Sequence, residues 1–288
     1  MFWSNQSIFE RSLIEYSNNC TLKYNSKPLF GFLLLNKYHI ILFYILGING
    51  IIQNLLVIQT LISDKFREKW NITYKLIYSI TGLIISICLM INVLWNENYF
   101  LVMSFICLIL NVNCIWISAV LSFERMLMQI FFFTLYGMSS QHAIIISIFA
   151  FLFVSISYVL SIIYLEISLL LFYFHLIIPG IIHMVSLIIT FISTMKRKCY
   201  LSEYPMNCSL FIQIVRNQGN FFVIPICNTI CLIISIISIY QCFLIVFNIS
   251  FFLPQMFSFV LYIFPSKTNM KKFRMESPCG RLMMKIHL

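Results

Sequence analysis

Charged residues make up only 10% of this 288-residue chain, and aspartate occurs once, as Asp64. A soluble domain carries roughly 25% charged residues, so the scarcity of charge excludes the ordinary globular class. No Asp, Glu or Lys falls deep in any long apolar run, which leaves proton relays and carboxylate ion sites without ligands. That argues against a pump or an ion-coupled transporter, and no inverted pattern of broken helices links the two halves. A His-Glu-x-x-His pair, a phosphate-cradling glycine loop and a Gly-x-Ser-x-Gly elbow are all missing. No enzymatic activity, cofactor or metal is therefore expected. The net charge of +10 is not arranged as a basic stripe interleaved with aromatics, so nucleic acid is not an expected partner.

What the chain has in excess is apolar side chain: 61% hydrophobic residues, with a mean hydropathy of +0.93. No soluble core absorbs that much, and the expectation is an all-α integral membrane protein with lipid as its solvent. A chain of 288 residues has room for about seven spans of roughly 20 residues each. Apolar runs fall at 39–62, 76–95, 99–123, 143–164, 167–195, 212–239 and 243–264. Only Tyr240, Gln241 and Cys242 separate the last two. The expected layout is an N-terminal segment over 1–38, a seven-helix bundle over 39–264 and a basic tail over 265–288.

The distribution of Lys and Arg sets the expected sidedness. Lys65, Arg67, Lys69, Lys75, Arg125, Lys196, Arg197, Lys198 and Arg216 follow odd-numbered runs. Lys267, Lys271, Lys272, Arg274, Arg281 and Lys285 are in the tail. The leading segment has Arg11, Lys23, Lys27 and Lys37, and the other three loops have none. The positive-inside rule then puts the N-terminus outside and the C-terminus in the cytoplasm. Asn5 and Asn19 head acceptor triplets for glycosylation in the segment placed outside. The opening residues lack a basic stretch followed by an apolar one, so the first span is expected to act as an uncleaved insertion signal.

Of ten cysteines, Cys88, Cys107, Cys114, Cys227 and Cys231 lie in spans and Cys199, Cys208 and Cys279 face the reducing side. At most one outer bridge, Cys20 to Cys242, is compatible with that placement. Neutral polar residues dot the spans: Asn49, Gln53, Asn54, Asn111, Asn113, His175, His183, Asn228 and Asn248. Amides in lipid are expected to bond between helices, at about 0.6 kcal/mol each. Pro179, Pro225 and Pro254 fall one each in the fifth, sixth and seventh runs, where each removes a backbone donor and bends its helix.

The third run ends in "LSFERMLMQIFFFTLYG", where Glu124 and Arg125 stand side by side among apolar residues. Seven spans with an acidic residue and Arg closing the third resemble the rhodopsin-like G-protein-coupled receptors. Gly50 and Asn54, within "GIIQN", resemble that family's first-helix Gly and Asn, and Pro179 and Pro225 its fifth- and sixth-helix prolines. A narrower likeness is to the nematode serpentine chemoreceptors, particularly the srx type. It rests on "ISAVLSFERMLMQIFFFTLY" (Ile117 to Tyr136) and "LFIQ" (Leu210 to Gln213). The chain departs from the wider family in three places. The second span has no Asp, "LPQMF" stands where Asn-Pro-x-x-Tyr would be, and neither the start of the third span nor the second outer loop has Cys.

The resemblance implies a chemosensory receptor in the plasma membrane of a sensory cell, coupled to a heterotrimeric G protein. Glu124 and Arg125 would form its switch, Arg125 being held by Glu124 and by polar residues at the inner ends of other helices, then turning to the G protein. The implied ligand pocket lies between spans three, five, six and seven, with Cys107, Asn111, His175, Asn228 and Tyr240 at its wall. Lacking a carboxylate in span three, it suits a small neutral or weakly polar molecule. Gly50, Asn54, Pro179, Pro225 and Pro254 are the expected packing and kink positions. The alternatives are a vertebrate-type taste or vomeronasal receptor, or a non-signalling seven-span structural or trafficking protein.

Overall fold

The computed structural model describes residues 37–62, 70–94, 97–131, 140–163, 168–201, 223–237, 244–265 and 267–286. Among them the chain is helical and contains no strand. Long runs rich in Ile, Leu and Phe have no water to bond their backbone, so each run satisfies its amides internally as a helix. The helices are α1 (Lys37–Ile62), α2 (Trp70–Leu94), α3 (Glu97–Phe131), α4 (Ser140–Ile163), α5 (Ser168–Leu201) and α6 (Val223–Ile237). They are followed by α7 (Leu244–Met256), α8 (Ser258–Tyr262), α9 (Lys267–Glu276) and α10 (Pro278–Ile286).

Five of these, α1 to α5, are long and apolar enough to cross a membrane. α3 is the hub, packing on α2, α4, α5 and α7. Within its span 67% of residues are buried, against 28% in α4 and in α5, which therefore turn most of their surface outward. Its 35 residues reach about 52 Å at 1.5 Å per residue, well beyond a hydrocarbon layer of about 30 Å. α1 packs on α2, α7, α8 and α9, so the tail helices are folded back onto the first span. Phe273 of α9 is buried with Val57, Leu61, Ile72 and Ile263.

Two boundaries differ from the hydropathy reading. α2 starts at Trp70, and Lys75, expected in a loop, is inside its span and only 5% exposed. α3 runs through Glu124 and Arg125, both inside its span and 5% exposed, on to Phe131. A sliding window closes a run at its first charge, whereas a helix continues wherever neighbouring helices cover that charge. In the sixth and seventh runs, α6 has its described residues over Val223–Ile237, and the seventh breaks at Phe257 (φ −117°, ψ 30°) into α7 and α8. Pro254 stands three residues before the break. Pro179 is inside α5, and Pro225 is on α6. Asn5, Asn19 and Tyr240 lie outside the described residues, as do the side chains of Lys196, Arg197, Lys198 and Asn248.

Candidate functional site

The end of the bundle that carries Glu124 and Arg125 is a buried polar cluster. Tyr74 of α2 donates its hydroxyl to Glu124 Oε1 at 2.9 Å, while Glu124 Oε2 is buried with no hydrogen-bond partner among the described residues. One turn on from Tyr74, Tyr78 meets Tyr262 of α8 edge to face, with ring centroids 5.0 Å apart. Arg125 lies near Tyr262 and Lys75, and Lys75 near Lys272 of α9. Side chains from α2, α3, α8 and α9 thus converge around Glu124 and Arg125. Water is largely excluded, and charges in such surroundings interact more strongly than at a surface.

Further along the bundle, amide side chains hold the broken seventh helix by its carbonyls. Asn111 of α3 donates to Phe251 O at 3.0 Å, Asn54 of α1 to Gln255 O at 3.1 Å, and Asn49 to Met256 O at 2.8 Å. The last two carbonyls stand just before the break at Phe257, where the regular ladder of helix bonds is interrupted. Asn54 also bonds back to Gly50 O at 2.8 Å. Such close approach needs glycine. A Cβ on Gly50 would overlap Met256 Sδ and Ser86 Oγ, and one on Gly82 would lie 2.9 Å from the Asn54 amide. Ser235 Oγ and Ser250 Oγ, 2.8 Å apart, link α6 to α7.

A third connection joins α5 to α3. His183 is wholly buried, with Ser118 Oγ 3.2 Å from Nε2 and Ser122 Oγ 3.1 Å from Nδ1. Both serines also have a backbone carbonyl of α3 in reach, Ile115 O at 2.8 Å and Ser118 O at 2.9 Å. An imidazole with one N–H can donate to one serine only, so the other serine turns its proton to the ring. His175, two turns earlier on α5, accepts at Nδ1 from Trp116 Nε1 at 2.9 Å and sits among Phe153, Tyr158 and Phe174.

The four described residues of the expected pocket are buried or nearly so, but they contact different helices. Cys107 lies against the Cys88 thiol of α2, Asn111 faces α7, and His175 faces α3 and α4. Asn228 is buried on α6, and among the described residues its Nδ2 has no hydrogen-bond partner. The sequence reading passed over Tyr74, Trp116, Ser118, Ser122 and Tyr262. For the serines a signal existed: Asn111, Cys114, Ser118, Ser122 and Arg125 recur at helical spacing and form one small or polar stripe along α3.

No protein-family model matches the chain, and no curated protein matches its sequence. Among the described residues no group of three or more His, Cys, Asp or Glu is placed to hold a metal ion. Side-chain hydrogen bonds thus tie α1 to α7, α2 to α3, α3 to α5 and α3 to α7.

Proposed function

We propose that the chain is a seven-span, G-protein-coupled chemosensory receptor for a small neutral or weakly polar molecule, with its N-terminus outside and its basic tail in the cytoplasm. The observation that carries the reading is the burial of Glu124 and Arg125 at one end of the most enclosed long helix, with Tyr74 bonded to the carboxylate. A mere interfacial anchor would turn its charges toward water and headgroups. Here the guanidinium is enclosed beside α2 and α8, so freeing it requires those helices to move. A ligand that binds one helix arrangement better shifts the population toward it. Arg125 and the basic end of α5 then face the G protein. Support for the sidedness is the charge count, and support for a neutral ligand is the absence of Asp and Glu from the α3 face that carries Asn111 and Cys107.

The test is expression in a cell line with calcium and cAMP readouts, challenged with neutral and cationic small molecules. Responses to neutral compounds are expected; activation by cationic amines alone would contradict the pocket chemistry. Enzymatic deglycosylation should shift the mobility of the wild type and not of a variant lacking both Asn5 and Asn19. An epitope at residue 1 that stains only in permeabilised cells would reverse the topology.

A second reading, a seven-span structural protein without a ligand, is favoured by one feature. Asn49, Asn54 and Asn111 are all engaged with α7 carbonyls. It expects silence in the same assay against every compound class.

A further inference from the structure

We propose that His175 is the hydrogen-bond donor of a binding subsite, set between α3, α4 and α5, for a small apolar molecule carrying one carbonyl oxygen. The proposal rests on the receptor reading for its biological sense and narrows the ligand class. It also moves the contact point from the α7 side of α3 to the opposite side.

Indole N–H is a donor only, and Trp116 Nε1 reaches His175 Nδ1 at 2.9 Å. Nδ1 therefore accepts, and the ring carries its one proton on Nε2. That N–H belongs to a residue 1% exposed and has no hydrogen-bond partner among the described residues. Leaving a buried donor without an acceptor is costly, so an acceptor placed against it gains more than at an exposed site. Rings surround it: Phe153 with its centroid at 5.5 Å, Phe174 at 5.6 Å and Tyr158 stacked at 5.7 Å. A buried water usually finds about three polar partners, and beyond Nε2 these rings offer only the Tyr158 hydroxyl.

A ligand oxygen is the better complement. A ketone, aldehyde or ester accepts one hydrogen bond and presents the rest of its surface to aromatic walls. An ammonium ion has no acceptor, and a carboxylate would be buried among rings with no cation shown beside it. Access is lateral. Phe153 and Phe174 are 44% and 39% exposed on the outward faces of α4 and α5, so an apolar molecule dissolved in the bilayer meets these rings first.

The test uses the full chain purified into lipid nanodiscs, with thermal unfolding followed against acetophenone and against cumene, which has a similar shape and no acceptor. Acetophenone should raise the unfolding temperature at roughly tenfold lower concentration than cumene, the effect of one hydrogen bond. His175→Phe should abolish that preference. His175→Gln should keep part of it, since its amide can accept from Trp116 and donate onward. Equal potency of the two compounds on the wild type, or a preference that survives His175→Phe, would overturn the subsite. If His175→Phe does not fold, the wild-type comparison and His175→Gln decide. Binding is read here without a G protein. A protein that prefers acetophenone yet never signals would refute the receptor reading and leave the subsite standing.

Discussion

Tyr74 on α2 gives its hydroxyl proton to Glu124 Oε1 on α3 across 2.9 Å, and both residues are buried. The bond joins two helices at the point where the third carries its only ionisable pair. Among the described residues Glu124 Oε2 has no hydrogen-bond partner, and Tyr74 is the one hydrogen-bond donor to that carboxyl. Tyr74→Phe is expected to destabilise the protein by about 1–3 kcal/mol, the cost of an unmade bond at a buried group. In a double-mutant cycle with Glu124→Ala, the two losses should fall short of additivity by about 0.5–3 kcal/mol. Thermal unfolding of the four proteins in one detergent measures this, and strict additivity would show that the bond is not formed.

The seam between α1, α2 and α7 makes a steric prediction. A methyl group at Gly50 meets Met256 Sδ and Ser86 Oγ head on, while one at Gly180 meets only Leu232 Cδ1, at 3.7 Å. Overpacking a tight contact costs about 1–3 kcal/mol, so Gly50→Ala should lower the unfolding temperature measurably. Gly180→Ala, in ordinary van der Waals contact, should leave it unchanged. Equal effects of the two would remove the close approach from the account.

How much of this could be seen beforehand differs from element to element. Five long helices were legible because apolar runs of that length have one stable backbone solution in lipid. The neutral amides in those runs were legible as polar groups in need of partners. Their partners were not, because carbonyls 251, 255 and 256 become targets only once α7 comes beside α1 and α3. Lys75 was misplaced for a related reason. Hydropathy sees its charge, and not the α3 and α9 neighbours that enclose it. Trp116 with His175 needs α3 and α5 side by side, a relation with no sequence period.

His183 between Ser118 and Ser122 predicts an effect that is not a sum. Removing one serine leaves the other to pair with the ring, whose proton can sit on either nitrogen. Each of Ser118→Ala and Ser122→Ala should therefore cost no more than about 0.5–1.5 kcal/mol. The double variant leaves a buried imidazole without either hydroxyl and should cost more than the two together. Unfolding temperatures of the three variants decide it, and a double variant no worse than the sum would contradict the shared role.

The central claim is that Arg125 is a switch and more than a buried anchor. Its most direct measurement is the calcium or cAMP response of Arg125→Ala cells, normalised to surface copies, against the wild type and the most active neutral compound found for it. The account predicts surface expression near that of the wild type with the response abolished. A variant that reaches the surface and responds as the wild type does would contradict it.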